Sequence, residues 1–241
     1  MKPGVFLTAQ WRMLVLLNYE IAPEILAPFV PRGTEPDIWQ GKTYASLVGF
    51  QFLDTRLLGL AIPFHRNFTE VNLRFYVRRQ TTDGWRRGVV FIKELVPRMA
   101  VAGVGRWIYN ENYLALPMRH KIVQASPAIP PTVEYSWRFG RRWQGLGAAA
   151  AGPAVLPSQG SIEEFITEHY WGYTAQRDGG TLEYQVKHPR WPVRLATQSS
   201  FDGDVDCLYG PQFVKPLGQK PDSAFIAIGS EVSVFKGVRI P

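Results

Sequence analysis

A strand pair between residues 70 and 96 limits the fold more than any other stretch of the chain. Along residues 70–78, apolar and polar side chains alternate strictly, which is the period of a β-strand. Asp83-Gly84 can supply the positive backbone angles of a tight hairpin turn. Residues 88–96 are apolar at nearly every position, which predicts a return strand buried on both faces of its sheet.

Further elements are predicted along the rest of the chain. Pro23 suits the first turn of a short helix, and Ser161 with Glu164 forms a capping box that starts another. Pro97 opens a predicted helix that runs to about Asn110, and the glycine- and alanine-rich segment 140–160 is predicted to be a long loop or ribbon. Strands are predicted at 43–53, 113–123, 181–188 and 225–236. The sum is an α+β fold with a mainly antiparallel sheet, and residues 1–241 are predicted to form a single domain.

Composition excludes several classes of protein. The chain has 241 residues, a formal charge of +7 and one cysteine, so neither an internal disulfide nor a cysteine-based zinc site is expected. No apolar run has membrane-spanning length and no signal peptide is recognisable, so we expect a cytoplasmic protein without a membrane partner. Arginines cluster only in pairs, which favours solvated loop ends over a specific nucleic-acid surface.

Motifs for common cofactors are missing from the sequence. It has no phosphate-binding loop, no dinucleotide glycine fingerprint and no Gly-x-Ser-x-Gly nucleophile motif. Its four histidines, 65, 120, 169 and 188, form no pair at the spacing of metal ligands on a helix. We therefore predict neither a cofactor nor a metal.

Polar residues set among aromatic ones mark where chemistry could lie. Such groups occur at residues 65–72, 93–94, 109–113, 168–173 and 188–191. Burial beside large rings would raise the pKa of a carboxyl and lower that of a histidine, as proton transfer requires. Each residue alone is more typical of a structural role: the polar face of strand 70–78 can face water, Lys93 and Glu94 can form an ion pair, and His169 can be a hydrogen-bonded core histidine. Taken as a set, the two interpretations stay open.

Six strings of residues follow one another along the chain: FLTAQWRMLVLLNY at 6–19, HRNFTEVNLRFYV at 65–77, FIKELVPRMAVA at 91–102, NENYLALPM at 110–118, FITEHYWGY at 165–173 and VKHPRWPV at 186–193. In this order they resemble the YqjF-like proteins, a bacterial family classed with the acetoacetate-decarboxylase-like superfamily. The resemblance implies a cone-shaped, mainly antiparallel closed barrel with flanking helices and an enclosed polar cavity. The polar face of strand 70–78 would then point inward.

The resemblance also implies a departure from decarboxylase chemistry. Phe68-Thr69-Glu70 resembles the Tyr-x-Glu motif that places a glutamate in the decarboxylase cavity. The place of the decarboxylase lysine, a nucleophilic amine of lowered pKa, resembles Met118 here, with Arg119 beside it. A thioether cannot form a Schiff base and an arginine stays charged, so that chemistry is not expected.

These observations lead to one set of candidate residues and to competing functions. Candidate catalytic residues are Glu70, Glu94 and His65. Candidate ligand-binding residues are Arg74, Asn72, Tyr76, Met118, Arg119, Glu111, Glu168, His169 and Tyr173, with Arg74 or Arg119 able to hold a carboxylate. The leading function is a small-molecule pocket for an anionic or carbonyl-bearing metabolite, acting by proton transfer. The alternative is a ligand-binding or sensing module without turnover, and a homo-oligomer stays open.

Overall fold

The computed structural model describes residues 4–61, 63–97, 99, 110–124 and 131–240. Strands dominate this part of the chain. They are β1 (Val5–Glu20), β2 (Glu35–Pro36), β3 (Tyr44–Leu57), β4 (Leu60–Ala61), β5 (Phe68–Thr81), β6 (Gly84–Val96), β7 (Tyr113–Ala115), β8 (Met118–Val123), β9 (Thr132–Phe139), β10 (Arg142–Ala150), β11 (Trp171–Ala175), β12 (Thr181–Lys187), β13 (Val193–Asp202), β14 (Ser223–Phe235) and β15 (Val238–Ile240). The α-helices are α1 (Pro23–Leu26), α2 (Ile162–Thr167), α3 (Val205–Tyr209) and α4 (Val214–Leu217).

The predicted hairpin is formed by β5 and β6. Thr81 pairs with Gly84 at the turn, and Gly84 has a φ of 106°, a conformation that favours glycine. The two strands pair antiparallel from this turn to the pair formed by Val71 and Leu95, with one register shift between Leu73 and Arg74. This part of the sequence interpretation is confirmed.

Strand pairing joins the first sheet into a circuit. Hydrogen-bonded neighbours run from β12 through β11, β6, β5, β3 and β1 to β14, and β14 pairs with β12 again at Val234 and Val186. Most pairings are antiparallel; β6 pairs in parallel with β11 and with β7. The described residues thus form a mainly antiparallel sheet with few and short helices, as predicted.

A second group of strands covers the outer face of β3 and β5. It has the order β13, β10, β9, β8 and joins the first group where β13 pairs with β14. The apolar side chains of β5, including Leu73 and Phe75, share a buried cluster with Tyr135 and Trp137 of β9 and with residues of α3 and α4. The layers approach closely, since a Cβ added at Gly49 of β3 would lie 2.6 Å from the Tyr135 ring.

The segment 140–160 was predicted to be a loop or ribbon, and most of its first half is instead the regular strand β10. Its small residues have a packing reason. A Cβ at Gly145 would lie 2.8 Å from the carbonyl oxygen of Tyr135, and one at Gly147 would lie 3.1 Å from that of Val133. The glycines therefore let β10 lie against β9, rather than marking a flexible connection.

Two other predictions, a helix and an extended stretch, have different outcomes. The helix predicted from Pro97 to Asn110 lies almost wholly outside the described residues. The extended stretch 113–123 is present as two strands, β7 and β8, which are separated at Leu116 and Pro117.

Helix α2 has the predicted cap in a modified form. The Ser161 Oγ accepts a hydrogen bond from the Glu164 amide at 3.2 Å, while the Glu164 carboxylate accepts from the Gly160 amide at 2.7 Å rather than from that of Ser161. Phe165 and Ile166 are buried on the inner side of the first sheet. The helix ends just before His169, and this histidine lies on the same inner side of the first sheet.

Candidate functional site

A cavity of about 200 Å³ lies against the inner face of β3, β5 and β6. Much of its lining is aromatic, with a few polar side chains between the rings, as in many small-molecule sites. The phenylalanine, tyrosine and tryptophan residues of the lining are Phe6, Trp11, Phe50, Phe52, Phe68, Phe91, Tyr113, Trp171, Tyr184 and Trp191.

Strand β5 gives the cavity three of its polar groups. Glu70, Asn72 and Arg74 line it and are all buried, because alternation turns every second side chain of the strand inward. The intervening Val71 and Leu73 pack in the outer cluster. The predicted inward orientation of this strand's polar face is therefore what the structure has, although strands as well as helices cover the other face.

A register shift in β6 adds a further carboxyl. Phe91 and Glu94 both line the cavity although they are three residues apart, a spacing that strict alternation would put on opposite faces. The pairing with β5 shifts between Leu73 and Arg74, where β6 carries one extra residue, Ile92. Such a bulge re-aims the side chains that follow it, and here it places Glu94 opposite Asn72 on the cavity side.

Three buried glutamates converge on the cavity, and none has an ordinary pKa. Burial raises the pKa of Glu70 to about 8, with repulsion from Glu111 adding to it. Burial raises the pKa of Glu111 to about 7. Burial, followed by repulsion from Glu111 and Glu70, raises the pKa of Glu94 well above its usual range. Because burial disfavours the charged form, these carboxyls hold protons into the neutral pH range.

Neutral donors surround these carboxyls. The Asn72 amide donates to Glu70 Oε1 at 2.9 Å, and the Tyr184 hydroxyl donates to Glu111 Oε1 at 2.5 Å. The Tyr113 hydroxyl hydrogen-bonds Glu94, and burial raises the pKa of this tyrosine well above its usual range. The network keeps one oxygen of each carboxyl occupied and leaves capacity for a further contact.

Several polar atoms of the lining have no hydrogen-bond partner within the described part of the chain. They are buried, and a buried unpaired polar atom normally costs about 1–3 kcal/mol, so each indicates a missing partner. The atoms are Trp11 Nε1, Asn72 Oδ1, Arg74 Nε, Glu94 Oε2 and His169 Nδ1. Donors and acceptors of this kind, converging on one cavity, suit a polar ligand.

The lining also contains two imidazoles, the buried His169 and the half-buried His188. His169 Nε2 lies 3.0 Å from Asp37 Oδ2, which also accepts from Arg87 Nε at 2.6 Å. Burial lowers the pKa of His169 to about 4, and it does the same for His188, so both rings are neutral at pH 7. His188 stacks on Trp191 with ring centroids 4.0 Å apart.

The structure brings seven of the twelve sequence candidates to this cavity. They are Glu70, Glu94, His65, Arg74, Asn72, Glu111 and His169. His65 is partly exposed, and its Nδ1 lies 2.8 Å from the Pro63 carbonyl oxygen.

The other five candidates lie outside the lining. Tyr76 faces the same side of β5, but its hydroxyl is bonded to Ser46 at 2.6 Å. Tyr173 and Glu168 serve packing networks, since the Tyr173 hydroxyl donates to Glu183 and Glu168 accepts from Tyr170.

Met118 and Arg119 lie on β8, a strand of the outer group. Met118 packs against the outer hydrophobic cluster. The Arg119 guanidinium is exposed and lies 4.1 Å from the centre of the Trp143 ring. The expectation that these two residues mark the nucleophile position of the cavity therefore finds no support in where they lie.

Several lining or supporting residues were not among the candidates. His188, Tyr113 and Trp191 fall in the polar and aromatic groups of the sequence, so a stricter search of those groups would have included them. In the sequence, Tyr184 could be recognised only as one position of an alternating strand. No local pattern marks Asp37, because its role depends on contacts with residues 50 and 132 positions away.

Three features were not found among the described residues. No described lysine lines the cavity. No group of three or more histidine, cysteine, aspartate or glutamate side chains in this part of the chain could hold a metal ion. No helix of the described residues is long and apolar enough to cross a membrane.

Comparison with known proteins then places the chain. The model of the DUF2071 family, described as an uncharacterized conserved protein, matches residues 8–231. The chain belongs to this family. It is 26% identical over 200 residues to the uncharacterized protein YqjF of Bacillus subtilis strain 168, a match that covers 80% of this chain and 77% of YqjF. The YqjF-like assignment made from the sequence is confirmed.

Solved structures with the same fold are acetoacetate-decarboxylase-like. The enduracididine biosynthesis enzyme MppR complexed with pyruvate has a TM-score of 0.66 at 14% identity, covering 99% of this chain and 91% of that one. Acetoacetate decarboxylase from Legionella pneumophila has a TM-score of 0.66 at 13% identity, covering 99% and 88%. At these identities the likeness establishes the fold alone.

Proposed function

We propose that this DUF2071 protein binds a small monocarboxylate that carries a carbonyl group, and that its buried glutamic acids exchange protons with that ligand. The observation that carries the proposal is the juxtaposition of one buried arginine, Arg74, with three carboxyls that hold protons near neutral pH. The cavity volume of about 200 Å³ favours a small ligand.

The charge of the cavity favours a ligand that carries a single negative charge. With Glu70 and Glu94 protonated, Arg74 is the remaining full charge among the described lining residues, beside Glu111, whose pKa burial raises to about 7. A carboxylate on the ligand would pair with the guanidinium, whose Nε lacks a partner within the described residues. A cationic ligand would instead face Arg74 without compensation.

The carboxyls also supply the means of proton transfer. An ionised carboxylate such as Glu111 can take a proton from the carbon next to a carbonyl, while a protonated one such as Glu70 donates a proton to the carbonyl oxygen. The product is the enol, and the total number of protons does not change. The reverse step, with a proton from solvent, exchanges the hydrogen on carbon.

A closed barrel and a single domain complete this proposal. We infer that the circuit of pairs from β12 to β14 and back closes the sheet around the cavity, which would keep bulk water from the carboxyls. We also treat residues 1–241 as one domain, since the family match spans residues 8–231.

Relatives of the same fold support the ligand class by analogy. Structures of MppR are complexed with pyruvate and with the condensation product of pyruvate and imidazole 4-carboxaldehyde. Pyruvate is a small monocarboxylate with a carbonyl, as proposed here. Since no described lysine lines the present cavity, the proposed chemistry uses carboxyls rather than a Schiff base.

The test is binding and hydrogen exchange with 2-oxobutanoate. Isothermal titration calorimetry should detect binding to the wild type, and NMR in D2O should show loss of the C3 protons faster than without protein. Arg74→Gln should weaken binding roughly 10- to 150-fold, the value of a charge-assisted hydrogen bond. Arg119→Gln is the matched control, because that arginine is exposed and outside the cavity.

The outcomes separate the alternatives. Binding that needs Arg74 but gives no exchange above background would favour the non-catalytic binding or sensing module. Absence of binding, or equal losses in the two arginine variants, would contradict the proposed site.

A further inference from the structure

The buried pair formed by Asp37 and His169 fixes which nitrogen of the imidazole carries a proton. Asp37 Oδ2 receives Arg87 Nε at 2.6 Å and lies 3.0 Å from His169 Nε2. A carboxylate that is ion-paired with arginine can only accept hydrogen bonds, so Nε2 must carry the hydrogen. In the neutral ring Nδ1 then has a lone pair.

The nitrogen that carries this lone pair is buried in a residue of the cavity lining and has no partner among the described residues. The His169 side chain is 1% exposed, its residue lines the cavity, and its Nδ1 accepts no hydrogen bond from the described residues. The ring is held in place, with its centroid 4.6 Å from that of Tyr76 and 5.2 Å from that of Phe165. None of the described residues donates to this fixed, buried acceptor, and a ligand in the cavity can supply the donor.

The charges around the ring decide what kind of donor fits. Arg87 and Arg74 both act on His169 electrostatically and favour its neutral form, with Asp37 opposing them. A protonated amine on the ligand would be repelled by the same two guanidinium groups. A hydroxyl group gives the hydrogen bond without adding a charge.

We propose that His169 accepts a hydrogen bond from a hydroxyl group of the ligand, and that Asp37 positions His169 for this contact. The inference rests on the proposed function, since it places the hydroxyl on the monocarboxylate that Arg74 binds. Arg74 and His169 share a neighbour in Tyr76, whose ring centre lies 5.8 Å from the Arg74 Cζ. The proposed ligand is thereby narrowed to a small monocarboxylate that carries a hydroxyl group as well as the carbonyl.

The tautomer can be tested without a ligand. In protein with ¹⁵N-labelled histidine, His169 should give the NMR pattern of a neutral ring protonated on Nε2. His188 is an internal reference of the opposite kind, since its Nδ1 lies 2.9 Å from the Pro189 carbonyl oxygen and should carry the proton. A proton on His169 Nδ1 at pH 7, in either the neutral or the charged ring, would overturn the proposal.

Recognition of the hydroxyl is tested with butanoate and its 2-, 3- and 4-hydroxy derivatives. The wild type should bind at least one hydroxy acid about tenfold more tightly than butanoate, the size expected of one buried hydrogen bond. His169→Phe keeps an aromatic ring in the packing and should bring the ratio of hydroxy-acid affinity to butanoate affinity close to one. His120→Gln is the matched control, because His120 is exposed on β8.

Asp37 is tested by the same measurements. Asp37→Asn keeps an acceptor oxygen but loses the charge, so His169 should populate both neutral tautomers and the hydroxyl preference should fall, with butanoate binding retained. If Asp37→Asn weakens the binding of butanoate and of its hydroxy derivatives equally, Asp37 has only a structural role and its assignment is overturned. If the wild type shows no preference for a hydroxy acid, or if His169→Phe keeps that preference, the assignment of His169 as the hydroxyl acceptor is overturned. A separate result would be an Arg74→Gln variant with unchanged affinity for butanoate. That result would refute the proposed carboxylate site and not the role of His169.

Discussion

Replacing Glu70 by glutamine should stabilise the protein increasingly as the pH rises. In the fold the pKa of Glu70 is raised from 4.5 to about 8 by burial, so between these two values the folded protein holds a proton that the unfolded chain has released. The free energy of unfolding of the wild type therefore falls across this window, by up to about 1.4 kcal/mol per pH unit from this residue. The loss is absent below pH 4.5 and complete above pH 8.

The glutamine variant lacks this titration and keeps the shape of the side chain. The difference in the free energy of unfolding, variant minus wild type, should grow by about 3 kcal/mol between pH 5 and pH 8. Denaturant titrations at four pH values in that range measure it. Glu134→Gln is the control for the substitution itself, since Glu134 is exposed on β9.

A flat difference for Glu70→Gln would refute the reasoning. It would mean that the carboxyl is hydrated or paired in its charged form, and thus that the cavity is open to water. A variant that loses stability relative to the wild type as pH rises would show the opposite sign and would contradict the assignment of burial as the dominant cause.

Three further predictions concern the cavity wall, the chemistry and the surface. Gly172→Ala should cost about 1–3 kcal/mol of stability, because its Cβ would overlap the Tyr184 ring and displace the hydroxyl from Glu111; Gly4→Ala, with no atom within 4 Å of the added Cβ, should cost far less by the same denaturant titration. Borohydride treatment with acetoacetate should leave the intact mass unchanged, and a stable adduct on any lysine would revive Schiff-base chemistry. Binding to DNA should be weak and should vanish as salt rises through physiological levels, whereas sequence-selective binding that survives such salt would contradict a merely basic surface.

Local pattern was sufficient for the strands and for part of the site. The alternation of β5 fixes which side chains share a face, and its pairing with an apolar β6 indicated that both faces are covered, so the inward position of Glu70, Asn72 and Arg74 could be predicted. The family resemblance supported the same orientation. It also led to the fold class that the structural comparison supports.

Non-local contacts account for what the sequence could not provide. The bulge that turns Glu94 inward depends on how β6 pairs with β5, and nothing in the local apolar run marks it. Asp37 acts only through partners far away in the chain. Met118 was assigned by position in a motif, but the strand that carries it lies in the outer group, where it packs in a hydrophobic cluster.

The protonation of the buried carboxyls tests the account most directly. Protein labelled with ¹³C at the glutamate side-chain carboxyl carbon can be titrated by NMR, with Glu70→Gln, Glu94→Gln and Glu111→Gln variants giving the assignments. At pH 7 the carboxyls of Glu70 and Glu94 should be protonated, and that of Glu111 should titrate near pH 7. If all three are ionised at pH 7, the cavity carries negative charge beside Arg74, and a site for a monocarboxylate is contradicted.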